Sequence, residues 1–275
     1  IKQRIHADLP AVKLGFLLQK PESDFYQAFG GAVTDAVRAA RNIRGVCVLD
    51  YLQEMTPANV VAKLREMAPR VQAIAMTAVD HPNVSAAVAE LRAKGIPVFA
   101  LLSDFAIGVR TAYIGVDNRK AGRVAAWTIA KTARTPGKVA LFVGSHRFLG
   151  HDLREIGFRT YFRENAPDFQ VLDTLVNLEE PRFTYGATLD LIARHRDLVG
   201  FYVAGGGMEG AIEALREADA HHLTVVCNEL TPVSRAALAD QVLSMTISTP
   251  LRYLAERVVD LMVNSVAKAD IDLPS

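Results

Sequence analysis

The chain has 275 residues, half of them hydrophobic and 22% charged, enough to bury the cores of two ordinary domains or one large one. Its 31 Lys and Arg against 30 Asp and Glu leave a formal charge of +1 with no block of like charge, so the net field would hold neither nucleic acid nor an anionic membrane. No apolar run approaches the ~20 residues of a bilayer-spanning helix, and two cysteines without a repeat or low-complexity tract exclude a disulfide scaffold, collagen and disorder.

Residues 1–8, beginning at Ile1, lack the apolar centre of a signal peptide and read as a linker, as in a piece excised from a longer protein. After Pro10 come apolar runs at 12–19, 46–50, 73–77, 97–102, 113–116, 138–143, 171–175, 200–204, 223–227 and 243–247. Most are rich in Val, Ile, Leu or Phe without polar alternation, the pattern of strands covered on both faces. Cys47 and Cys227 fall inside such runs and read as buried, reduced thiols.

Helical periodicity fills the intervals. Residues 24–41 carry Phe25, Phe29, Val33, Ala36 and Val37 near one face. Asn118 reads as the N-cap of a helix running through Ala121, Val124, Ala125 and Ile129. Thr249-Pro250 opens the last helix, whose stripe is Leu251, Leu254, Val258, Leu261 and Met262. Strand and helix in alternation mean βαβ units, and this many strands imply an α/β chain of two similar doubly wound parallel-sheet lobes.

In such sheets ligands bind beyond the carboxyl ends of the strands. The residues there are 19–26, 77–81, 103–104, 144–153, 204–208 and 228–231: hydroxyls, amides, carboxylates and aromatic rings. That mixture suits a small polar ligand held by directional hydrogen bonds and a stacking ring. Gly205-Gly206-Gly207-Met208-Glu209-Gly210 matches G-x-G-x-x-G between a strand and a helix, with Glu229 placed to hold a ribose hydroxyl. Its late position, outside the first βαβ unit, favours a plain close-packed turn over NAD binding.

Catalytic patterns are thin. The seven histidines form no H-E-x-x-H, the cysteines no C-x-x-C, and no G-x-S-x-G occurs, so neither metal, cofactor nor catalytic residue is assigned. Asp152 and Glu155 flank Arg154 and read as a solvated first helical turn. Arg154 itself either turns its fork toward the strand ends or pairs with those two acids on the surface. His221-His222 reads as a helix-to-strand loop. Phe25 and Tyr26 sit at the first strand-to-helix turn as stacking rings or as core, whereas Phe29 reads as core.

The order of motifs resembles the lactose-repressor family. Tyr113-Ile114-Gly115-Val116-Asp117-Asn118-Arg119-Lys120-Ala121-Gly122-Arg123 is similar to its V-G-x-D-N-x-x-A-G stretch, and Arg154-Glu155-Ile156-Gly157-Phe158 to its R-x-x-G-F. The strand and turn at 202–210, then Asn228-Glu229-Leu230-Thr231-Pro232, Leu238-Ala239-Asp240 and Thr249-Pro250, follow in the family's order; the likeness spans about residues 11–265.

The resemblance implies a type-I periplasmic binding fold, shared with sugar receptors such as ribose-binding protein. Its two lobes, 1–116 with 249–275 and 117–248, are joined by a three-strand hinge, with crossovers near 116–117, 248–249 and 271–274. It implies a sugar or polyol bound between the lobes by Phe25, Tyr26, Thr77, Ser103, Asp104, Arg154, Asn228, Glu229 and Ser248. The departures from ribose-binding protein lie at Leu102-Ser103, Val203-Ala204, Asn228 and Ser248, where that receptor has more carboxylates and amides. Ligand class survives this, and ligand identity does not. The family further implies a cytoplasmic homodimer in which the ligand selects one hinge angle, and operator DNA contacted only through a helix-turn-helix domain upstream. The alternative is a periplasmic sugar receptor of an ABC transporter; an NAD-dependent enzyme ranks below both.

Overall fold

The computed structural model describes the backbone of residues 9–271 and the side chains of 9–267. The linker expected at 1–8 therefore lies outside the described residues, as does the third crossover expected at 271–274 beyond Ile271. The chain divides into two compact units: one runs to Gly115 and resumes at Pro250, the other is Val116–Thr249.

The first unit holds strands β1 (Ala11–Gln19), β2 (Arg44–Leu52), β3 (Ala73–Met76), β4 (Val98–Leu101) and β5 (Ala112–Ile114), all parallel, in the order β2-β1-β3-β4-β5. Helices α1 (Asp24–Ala39), α2 (Pro57–Met67) and α3 (Pro82–Ala93) are its crossovers, and α9 (Leu251–Ile271) packs on the same sheet. Alternation along β1 sorts the two faces: Leu14, Phe16 and Leu18 meet Phe29, Val33 and Val37 of α1 and Leu254, Val258 and Met262 of α9. On the other face Met67 of α2 lies against Gly15. Each fully buried Leu or Phe here contributes about 1.5–3 kcal/mol. Helix starts follow local chemistry: Thr56 Oγ1 accepts from the Asn59 N–H at 3.2 Å and the His81 ring from the Asn83 N–H at 3.1 Å, each just before a proline.

The second unit holds β6 (Lys138–Val143), β7 (Gln170–Val171), β8 (Leu175–Val176), β9 (Leu198–Val203), β10 (Thr224–Asn228) and β11 (Met245–Ile247) in the parallel order β11-β10-β9-β6-β7, with β8 also on β6. Helices α4 (Asn118–Thr132) and α5 (Leu149–Asn165) cover one face through Ala125, Ile129, Phe158 and Phe162. The other face is covered by α6 (Pro181–Arg194), α7 (Met208–Glu217) and α8 (Pro232–Ala239). Taking β7 and β8 as two pieces of one edge strand, both units have the same doubly wound order, and in each the strand order reverses beside the unit's first strand.

Several expectations need correction. The run 171–175 is not one strand: the Leu172 N–H still donates to the Val139 carbonyl of β6 at 2.9 Å, but residues 172–174 are irregular, and Arg159 of α5 donates to the Leu172 carbonyl at 2.9 Å and to Thr174 Oγ1 at 2.7 Å. Asp117, not Asn118, caps α4, its carboxylate accepting from the Lys120 N–H at 2.9 Å; Asn118 is the first helical residue and is buried. The first helix stops at Ala39, and the last is helical from Leu251, with Pro250 contributing its carbonyl to the Leu254 N–H at 3.0 Å. Edge strand β2 is only half-buried, so Cys47 is too, whereas Cys227 is fully buried. His221-His222 lies in the turn between α7 and β10, as expected.

Candidate functional site

In the second unit the site is built around Arg154, one turn into α5. Helices α4 and α5 touch backbone to backbone: a methyl on Gly122 would lie 1.9 Å from the Arg154 carbonyl oxygen, and one on Gly157 would lie 2.0 Å from that of Arg119. The contact needs glycine on both helices. It brings the start of α4 against α5, where Arg154 Nε donates to Asn118 Oδ1 at 2.7 Å. Arg154 Nη1 donates to the Ala204 carbonyl at 2.5 Å, at the end of β9, where the strand order reverses. The guanidinium is thus turned to the strand ends. Neither flanking acid holds it: Asp152 meets His146 at 3.0 Å and Glu155 meets Arg159 at 2.8 Å.

Asn228, the last residue of β10, bridges Arg154 to the Tyr202 hydroxyl. Only with its amide oxygen toward the arginine do donors face acceptors, at 2.8 Å from Nη1 and 3.3 Å from Nη2, its NH2 then meeting Tyr202. Tyr202 is fully buried, stacked on Phe158 with ring centroids 5.9 Å apart, and burial pushes its hydroxyl pKa far up, so it stays a neutral partner.

Glu229 takes a left-handed backbone (φ 72°) that turns its carboxylate onto Thr249, accepting from the backbone N–H at 3.0 Å and the hydroxyl at 2.6 Å. Burial raises its pKa, with the Thr249 hydrogen bonds and the more distant Arg154 charge pulling the other way. Ser234 of α8 steadies the strained residue by donating to its carbonyl at 2.9 Å. Ser248, exposed at the end of β11, joins none of these bonds.

The glycine-rich turn is filled by the protein itself. Glu179 Oε1 accepts from the Gly206 N–H at 3.3 Å and lies 3.4 Å from His151 Nε2, while a methyl on Gly210 would lie 1.8 Å from the Pro181 carbonyl of α6. A pyrophosphate would have to displace Glu179, and Glu229 is committed to Thr249. The motif serves close packing.

In the first unit the Gln19 amide donates to the Tyr26 hydroxyl, and Tyr26 and Phe25, both half-buried, meet edge to face at 5.1 Å. Phe29 is core. Thr77, beyond β3, is buried with its hydroxyl unpartnered. Ser103 is buried just after β4, following Leu102 at φ 65°. Asp104 is clamped by Arg110, Nη2 to Oδ2 at 2.6 Å and Nε to Oδ1.

The structure therefore gathers Arg154 and Asn228, and holds Glu229 next to them facing elsewhere. Asn118, Tyr202 and Arg110 escaped sequence reasoning. Asn118 looked like a cap, Tyr202 sits inside an apolar run, and only the Asp104–Arg110 spacing offered a hint. Among the described residues no group of three or more His, Cys, Asp or Glu could hold a metal ion, and no helix is long and apolar enough to cross a membrane.

Residues 14–270 match the family model described as "periplasmic binding protein domain", and the chain belongs to that family of binding domains. No curated protein matches it in sequence. Among solved structures it is similar to an ABC transporter solute binding protein from Burkholderia graminis in complex with D-arabinose (TM-score 0.87, 19% identity, 94% of this chain and 90% of that one). It is similar also to one from Actinobacillus succinogenes with bound D-allose (0.85, 18%, 96% and 94%) and one from Agrobacterium vitis with bound D-fucose (0.85, 20%, 93% and 90%). At such identities the likeness is one of fold, and that fold is the type-I periplasmic binding fold.

Proposed function

We propose that the chain binds a sugar or related polyhydroxy small molecule. Arg154 and Asn228 are the polar anchors of the second unit; Phe25, Tyr26, Thr77, Ser103 and Asp104 are the contacts offered by the first. Ser248 remains an exposed candidate, and Glu229 acts through Thr249 rather than on the ligand. The observation that carries this reading is a buried arginine locked at the strand-order reversal by three separate elements. Support comes also from the sugars in the structures of similar fold.

A thermal-shift screen against pentoses, hexoses, polyols, sugar acids, sugar phosphates and NAD tests it. A ligand at a hundred times its Kd adds about 2.7 kcal/mol to the folded state. A stereochemically selective hit is expected, lost in Arg154→Ala while the melt stays cooperative; retained affinity sinks the anchor, and a shift with NAD alone sinks the sugar.

Two settings suit such a domain. The solute binding proteins of similar fold favour a receptor for an ABC transporter. The ordered motifs from Tyr113 to Pro250 favour the ligand-sensing and dimerisation domain of a cytoplasmic regulator of lactose-repressor type, with operator DNA read by an upstream helix-turn-helix. A monomer by light scattering and an apolar leader in the full reading frame mark the first; a dimer and an upstream helix-turn-helix mark the second.

A further inference from the structure

The geometry points to a ligand that carries its own negative charge: a sugar acid, aldonate or uronate, whose carboxylate sits on Arg154. This rests on the ligand-binding reading above and narrows its chemical class.

Arg154 is only 8% exposed, yet among the described residues every partner it has is neutral: the Asn118 amide, the Ala204 carbonyl and the Asn228 amide. Among the described residues no carboxylate forms an ion pair with it. A buried guanidinium without a counter-charge is costly, and neutral acceptors offset only part of that cost. The carboxylates at the strand ends are committed elsewhere. Asp104 is clamped by Arg110, Glu179 lies against His151 and the Gly206 N–H, and Glu229 is turned onto Thr249. Glu229 contributes a field at Arg154 but no contact, because both its carboxylate oxygens are spent on Thr249.

Position 228 makes the point by chemistry. An aspartate there would pair directly with the arginine, whereas the amide leaves the positive charge in place and merely aims it. A guanidinium has five N–H donors. Nε uses one on Asn118, Nη1 two on Ala204 and Asn228, and Nη2 one at 3.3 Å on Asn228. One Nη2 donor is left for a ligand. One remaining donor and one formal charge fit a carboxylate better than a phosphate dianion.

The test is isothermal titration of the chain with matched series: glucose, gluconate, glucuronate and glucose 6-phosphate, and the galactose, arabinose and xylose counterparts. At least one acid should bind tenfold or more tightly than its neutral parent. Asn228→Asp, which installs the missing carboxylate, should shift that ratio at least tenfold toward the neutral sugar while its melt remains cooperative. If Asn228→Asp fails to fold, Arg154→Gln should shift the ratio the same way. A neutral parent binding as well as or better than every acid overturns the anionic class and leaves the sugar reading standing; binding of the phosphates alone overturns the carboxylate. No binding in any series overturns both. An unchanged ratio in the variants overturns the assignment to Arg154.

Discussion

Replacing Gly122 by alanine should damage the site without touching it. The added methyl would stand 1.9 Å from the Arg154 carbonyl oxygen and 2.7 Å from its carbon, both backbone atoms that cannot rotate away. Heavy atoms sit best about 3.5 Å apart, so α4 and α5 must separate by roughly 1.5 Å. Overpacking of this kind costs about 1–3 kcal/mol. Against it stands the gain of about 1 kcal/mol for replacing glycine inside a helix. The separation also stretches the 2.7 Å bond from Arg154 to Asn118, a charged hydrogen bond worth about 1.5–3 kcal/mol. The net expectation is a loss of about 1.5–5 kcal/mol in urea unfolding, together with at least tenfold weaker ligand binding. Gly31 is the control: it too lies in a helix, α1, but a methyl there has nothing within 4 Å. Gly31→Ala should stabilise by about 0.5–1 kcal/mol and leave binding unchanged. If Gly122→Ala matches Gly31→Ala in sign, the close helix contact does not hold Arg154 in place.

Three further outcomes follow from the same contacts. Tyr202→Phe removes the hydroxyl that meets the Asn228 amide, and should cost about 1–2 kcal/mol in chemical denaturation while weakening ligand binding; unchanged values for both would mean the amide does not need it. Glu229 has a raised folded pKa, so its contribution favours the fold below its unfolded value, about 4.3, and is lost as pH rises through the folded value. Glu229→Gln should therefore gain on the parent between pH 4 and 7, and a pH-independent difference would contradict the burial argument. Burial pushes the Cys227 thiol up to about 12 and raises Cys47 as well. Native chain at pH 8 should resist iodoacetamide at Cys227 until unfolded, and rapid labelling seen by mass spectrometry would show that β10 opens.

The fold class was legible because parallel strands buried on both faces must be apolar throughout: β1, β3, β6, β9 and β10 announce themselves as unalternated runs. Where a strand is short or at an edge the signal fails. The run 171–175 reads as one strand but is two fragments, because after the Leu172 N–H bonds to the Val139 carbonyl of β6 the Leu172 carbonyl and the Thr174 hydroxyl turn to Arg159 instead. Strand order was not legible from the pattern, since nothing local records that β6 neighbours β9 rather than β11. The same limit governs the site. That Arg154 opens a helix after a strand is a local fact, but its partners lie 36 and 50 residues away in sequence. Asn118 shows the difference most plainly: its side chain suits a cap or a buried acceptor equally well, and only the α4–α5 contact, set by Gly122 and Gly157, decides which. Local spacing governs helix and strand because their hydrogen bonds are repetitive. The charge balance around Arg154 depends on which side chains the fold sets beside it, and that is decided by tertiary packing alone.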